Sequence, residues 1–239
     1  MLSLLPLQAK TGDTSDLPRD VREIVEEDGD LIFEDDFDRK DDDEEDDLGD
    51  DWKTNSKARA QGDKQNDLVE GELVMTISPK ADHAISTGHD LEEPVKDMVV
   101  YLRMKLPEGG SLKLAFNDKK DKSVWAGHIN GVTINHRNIK IDDERTGRFN
   151  MNYRNNRNSP EAKEAFSKSA KNFPIKLRED KWYEVVTHHQ GDTLTVYIDG
   201  DEEASFTSPG FAHETKRHFV FAVPKIAIVD DLMIWAIED

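Results

Sequence analysis

Cysteine is absent from this chain of 239 residues, which excludes disulfides, thiolate metal sites and a cysteine nucleophile in one step. Positive charge is scarce: 32 Lys and Arg stand against 51 Asp and Glu, leaving a net charge of −19. Nucleic-acid binders need a basic stripe to displace counterions from phosphate, so this balance argues against DNA or RNA as the main partner. No apolar run approaches the roughly 20 residues of a membrane-spanning helix. Phosphate-binding glycine-rich loops, His-Glu-x-x-His helices and serine nucleophile elbows are missing as well. So is a strand of alternating acids of the Glu-x-Asp-x-x-Glu kind, which ordinary glycoside hydrolysis would use.

What is present is enough for one core. Four Trp, ten Phe and several Val/Ile-rich stretches accompany a hydrophobic content of 36%. An all-β sandwich of this length forms a single domain without strain on size. Residues 1–29 read as a flexible N-terminal tail. Its first nine residues, Met1 to Ala9, read equally as a clipped export-signal remnant or as an ordinary terminus. Within the tail Asp16, Pro18 and a Val21/Ile24/Val25 face ending at Gly29 predict a short helix. The domain proper runs over 30–239 and carries two charged loops. Loop 38–51 holds the run Asp41 to Asp47, whose self-repulsion predicts a solvated surface loop. Loop 145–178 holds nine Lys and Arg against Glu161 and Glu164, and Ser159-Pro160 opens a short surface helix inside it. The two loops are expected to dock on each other, the alternative being an anionic ligand for the basic one.

From residue 68 onward, β-type segments alternate with turns. They are Glu72–Ile77, Met98–Leu106, Ser111–Phe116, Val124–Ile129, Trp182–His188, Thr193–Ile198, His218–Val223, and Ile226–Val229 with Leu232–Trp235. Glu108-Gly-Gly110, Asn130-Gly131, Gln190-Gly-Asp192 and Asp199-Gly200 read as the links between them. Trp182 and Trp235 are expected to fill the space between two sheets, and the first and last strands to lie side by side. Asp142-Asp-Glu144 beside Thr146-Gly147 reads as a turn.

Three pieces in order carry a resemblance: Phe33-Glu-Asp-Asp-Phe37 with Trp52 and Val69-Glu-Gly-Glu-Leu73; Lys181-Trp-Tyr-Glu-Val185 with Gly191-Asp192 to Asp199-Gly200; and Val229-Asp-Asp-Leu-Met-Ile-Trp235. In that order the chain resembles the 3-keto-disaccharide hydrolase domain family, over roughly residues 30–239. The resemblance implies a concanavalin A-like, laminin-G-like jelly roll of two antiparallel sheets with one short helix in a loop. It also implies a carbohydrate ligand and a structural calcium near the strand junction, held by Asp36 and Asp231. The export-signal reading of residues 1–9 gives a periplasmic or extracellular location, and the basic loop 145–178 adds anionic glycans to the expected ligands. The implied reaction is cleavage of a glycoside whose C3 hydroxyl is oxidised to a ketone. That ketone acidifies C2–H, so elimination needs a general base and an electrophile. His128, Glu184 and His188 are the candidate catalytic groups, on the expectation that they share one concave sheet. Trp125, Asn130, Tyr153 and Arg154 are the candidate sugar contacts. The competing reading is a non-catalytic assembly domain that engages partner proteins through its charged loops.

Overall fold

A computed structural model of the protein describes residues 12–40, 46 and 48–238. The candidate export signal at 1–9 and most of the acidic run, residues 41–45 and 47, lie outside these described residues. Two antiparallel sheets face each other. One is eight-stranded and takes β1 (Gly29–Asp35), β3 (Asn66–Val69), β4 (Glu72–Thr76), β6 (Asp97–Lys105), β11 (Trp182–Gln190), β12 (Thr193–Ile198), β13 (Asp201–Thr207) and β15 (Ile226–Ile237). The other is seven-stranded and takes β2 (Trp52–Thr54), β5 (Ile85–Val95), β7 (Ser111–Asn117), β8 (His128–Asn135), β9 (Asn138–Asp143), β10 (Ala170–Pro174) and β14 (Lys216–Val223). The helices are α1 (Arg19–Asp28), α2 (Ser56–Arg59) and α3 (Pro160–Lys168). This is the jelly-roll sandwich expected from the sequence.

The ends of the domain meet as expected. Strand β1 pairs antiparallel with β15, from Gly29 opposite Ile237 to Asp35 opposite Leu232. Just past that pairing, Asp35 accepts from Trp52 Nε1 at 2.6 Å, Arg39 Nη1 at 2.6 Å and the Phe37 amide at 2.8 Å. The Phe33-to-Phe37 motif is therefore a clasp, in which one half-buried carboxylate gathers three donors. The Gly191 and Gly200 turns link β11 to β12 and β12 to β13 as hairpins.

Alternation sorts the side chains. Inward positions such as Leu102 and Met104 on β6, Val185 on β11, Phe116 on β7, Val132 on β8 and Phe219 on β14 form the inter-sheet core. The tryptophan in that core is Trp52, stacked on Phe221 at 5.7 Å. Trp182 and Trp235 lie on the outer face of the eight-stranded sheet instead. Trp235, Val99, Tyr101, Val186 and Tyr197 form a second apolar cluster under Leu17, Val21 and Val25. The supposed flexible tail thus ends in an ordered helix, α1, that covers an apolar outer face. Tyr197 also donates to Asp20 at 3.0 Å, which fixes the helix from above. Trp182 keeps its ring beneath Lys105 and Arg103, with the cations 4.4 and 4.8 Å from its centroid.

Other expectations change. Trp125–Gly127 forms a 3-10 turn before β8 rather than the start of a strand. Asn130-Gly131 lies inside β8, not in a turn: a Cβ on Gly131 would come 2.4 Å from the crossing Lys113 Cε, so close approach explains the glycine. Loop 145–178 carries, besides its helix, the edge strand β10, paired to β9. Asp142 and Asp143 belong to β9, and Asp143 points inward with Ile139 and Ile141. The expected docking of the two loops falls on the acidic run, of which residues 41–45 and 47 lie outside the described residues. Arg145 pairs with Asp121 at 3.2 Å and Arg148 with Glu144 at 2.7 Å, whereas Asp46 accepts from the amides of Gln65 and Asn66.

Candidate functional site

The structure divides the three proposed catalytic residues between two sheets. Glu184 and His188 share the outer face of β11, while His128 opens β8 in the opposite sheet. Glu184 lies beside Arg103 on β6, and burial together with Asp16 and Asp199 raises its pKa. His188 is buried under the N-terminal segment, and burial lowers its pKa. Both are outside reach of His128, so the expected trio does not converge. Asn130, an expected sugar contact, is fully buried: it points between the sheets, beside Asp143 and Phe116. Its parity with Val132 and Ile134 decides this.

The remaining candidates do gather at one end of the seven-stranded sheet. Trp125 sits in the 3-10 turn that leads into β8, and its indole is 46% exposed. The Arg154 guanidinium lies over that ring, 3.2 Å from its centroid. Backbone bonds hold the two segments together: the Trp125 amide donates to Phe149 at 2.8 Å, and the Met151 amide to Ser123 at 2.9 Å. Met151, 40% exposed, adds to the same surface. Tyr153 is next in the chain, but its ring is packed edge-on against Phe166 at 5.9 Å, which leaves it a support rather than a platform.

Beneath this surface lies a group that sequence reasoning took for a turn. Glu144 is 0% exposed. Its Oε1 accepts from Lys113 Nζ at 2.8 Å and Arg148 Nη2 at 2.7 Å, and its Oε2 faces His128 Nδ1 at 3.5 Å. Burial alone would raise its pKa, but His128 and Lys113 outweigh it and hold the carboxyl far below the usual range. The His128 ring is stacked on Phe149 at 4.2 Å, so its orientation is fixed. Deeper still, Asp143 accepts from Thr146 and Gly210 amides, both at 2.9 Å, and from Ser208 Oγ at 2.6 Å. Gly210 has to be glycine, since a Cβ there would stand 1.9 Å from Asp143 Oδ1. The usable sequence signal was the alternation Ile139, Ile141, Asp143, which put an acid in line with the core.

The implied calcium ligands also find a place. Asp36 and Asp231 line one cleft of about 430 Å³ with Asp13, Asp16, Glu34, Asp35 and Tyr101. Asp231 accepts from Arg103 Nη1 at 3.1 Å, and Asp36 from the Asp38 amide at 3.0 Å. Among the described residues no three His, Asp or Glu stand as a metal-holding group. The pair alone falls short of the roughly six to eight oxygens that calcium takes.

The architecture is a jelly-roll sandwich of two antiparallel sheets. Its backbone is similar to that of the laminarinase from Rhodothermus marinus, with a TM-score of 0.59 and 8% identity over 88% of this chain and 98% of that one. It is also similar to the endo-β-1,3-glucanase from Pyrococcus furiosus, with a TM-score of 0.53 and 14% identity over 88% and 95% of the two chains. A third likeness is to the GlcNAcα1-4Gal-releasing endo-β-galactosidase from Clostridium perfringens, with a TM-score of 0.58 and 12% identity over 87% of this chain and 63% of that one. No family model matches the sequence, and no curated protein does. At these identities the likeness defines the fold alone.

Proposed function

We propose that this chain is a carbohydrate-recognising jelly-roll domain that binds an anionic glycan at the Trp125–Arg154 end of its seven-stranded sheet. The observation that carries this reading is the exposed indole of Trp125 with a guanidinium stacked on it. Sugar recognition needs an aromatic face for the C–H side of a ring and fixed polar groups for its substituents. Arg154 has no acidic partner among the described residues, nor do Arg157 and Lys171, which rest on the rings of Phe166 and Phe173. Cations held by rings rather than by carboxylates keep their charge available to an incoming carboxylate or sulfate. The glucanase and galactosidase folds cited above support a carbohydrate ligand in general, and the charge supports an acidic one.

Hydrolysis of a 3-keto-glycoside, the finer reading of the resemblance, finds less support, because His128 stands apart from Glu184 and His188. Calcium at Asp36 and Asp231 rests on the resemblance alone. A thermal melt tests it: a rise in Tm with CaCl2 that Asp36→Asn removes supports it, and no rise rejects it. Export to the periplasm or extracellular space belongs to the same reading and is tested by cell fractionation. Among the described residues no helix is long and apolar enough to cross a membrane.

The binding test is calorimetry with a galacturonic-acid tetramer and a neutral glucose tetramer. Stronger binding of the acidic tetramer, lost in Trp125→Ala and Arg154→Ala, is the expected result. Equal or absent binding of both overturns the reading and favours a protein partner for this exposed patch.

A further inference from the structure

We propose that Glu144 fixes the tautomer of His128 so that its Nε2 is a hydrogen-bond acceptor for a hydroxyl of the bound sugar. This rests on the proposed glycan reading and names the feature of the ligand it selects: a free hydroxyl in addition to the anionic group held by Arg154.

The argument starts from donor and acceptor inventories. An ionised carboxylate has lone pairs and no proton to give. Glu144 is kept ionised by two cations that both donate to the same oxygen, Oε1. Its second oxygen, Oε2, is buried without a hydrogen-bond partner, and so is His128 Nδ1, which faces it at 3.5 Å. Two acceptors facing each other in a buried place would repel, so the ring proton belongs on Nδ1. In the uncharged form of the ring the lone pair is then at Nε2. His128 is 30% exposed and its ring is stacked on Phe149, which sets the direction of that lone pair before any ligand arrives. The exposed side of the ring belongs to the same end of the sheet as Trp125, since β8 begins directly after that turn. Lys113 and Arg148 are thus not ligand contacts. They hold the carboxylate that holds the histidine, and Glu144 is a positioning residue.

The amide variant gives a reversal that a merely structural role does not produce. In Glu144→Gln the side-chain oxygen must stay opposite Lys113 and Arg148, because an NH2 group there would meet two donors. The amide nitrogen then faces His128 Nδ1 and donates to it. The proton moves to Nε2, and the exposed ring atom turns from acceptor to donor.

The experiment is long-range proton–nitrogen correlation of the His128 ring at pH 8, on the whole chain, together with calorimetry using the galacturonic-acid tetramer. The expected result is a proton on Nδ1 in the wild type and on Nε2 in Glu144→Gln, with tetramer affinity falling about tenfold in the variant. A wild-type proton on Nε2 overturns the proposal without any variant, so poor folding of Glu144→Gln does not shield it. A tautomer that reverses while tetramer affinity is unchanged overturns the acceptor role but leaves the glycan reading standing. A wild type with the expected tautomer that binds no tetramer overturns the glycan reading and with it the ligand role, while the Glu144–His128 geometry is retained.

Discussion

His189 offers the most quantitative test of how the sandwich is built. It alternates with His188 on β11, so one ring faces outward and the other lies between the sheets. The His189 ring is fully buried, edge-on to Phe116 at 4.4 Å, and neither of its nitrogens has a hydrogen-bond partner. Burial, then the nearby Lys216 and His188, push its pKa well below the ordinary histidine value. A depressed folded-state pKa means that the unfolded chain takes up a proton which the native state refuses. Stability is therefore unaffected above the unfolded pKa of about 6.5 and falls as pH drops below it, by about 1.4 kcal/mol per unit for one proton. Between pH 7.5 and 5.5 this single residue accounts for about 1.4 kcal/mol of lost stability, since the slope begins only near the unfolded pKa. His189→Leu removes that share and also removes two unpartnered polar atoms, so it is expected to stabilise the protein at pH 7.5 by about 1–3 kcal/mol. Urea denaturation of both proteins at the two pH values measures the difference directly, and the remaining titrating groups cancel in it. An unchanged pH dependence in His189→Leu would refute the reasoning, because it would mean that the ring is protonated or solvated in the native state.

Three further outcomes follow from the packing. Trp235→Ala, under α1, is expected to cost about 3–5 kcal/mol and to release the helix, seen as lower helical circular dichroism and faster amide exchange over 19–28; retention of helix protection would show that α1 does not depend on this face. Asp35→Ala strands the Trp52 indole N–H and the Arg39 guanidinium and is expected to lower stability by about 2–4 kcal/mol in a chemical melt, against a near-neutral result if the clasp were solvated. Gly210→Ala, whose new Cβ would meet Asp143, is expected to destabilise by about 1–3 kcal/mol in a thermal melt; a near-neutral result would count against the Asp143 anchor.

Much of the fold was written locally. The hairpins of β11, β12 and β13 were legible because each strand ends on a glycine that accepts positive φ, as Gly191 and Gly200 do. The pairing of β1 with β15 was legible in the order of the motifs. The faces of the tryptophans were not. β6 reads Met98-Val-Val-Tyr-Leu102 and is apolar on both sides, so alternation gives two faces without saying which is inside. The answer came from α1, which makes the outer face of that sheet a second buried surface. The candidate site divided in the same way. Trp125 and Arg154 were recognisable as residue types, but Glu144 looked like a turn acid, and nothing local shows that it meets Lys113, Arg148 and His128.

The sequence by itself determined the class of fold, the absence of thiol chemistry, the acidic overall charge and the basic loop, because strand period, turn glycines and charge are properties of neighbours along the chain. Tertiary structure alone decided which face each strand buries, which carboxylates leave water, and which histidine faces a buried carboxylate. Those depend on residues brought together across sheets, where burial sets the strength of every charge and each donor needs a partner from a distant strand.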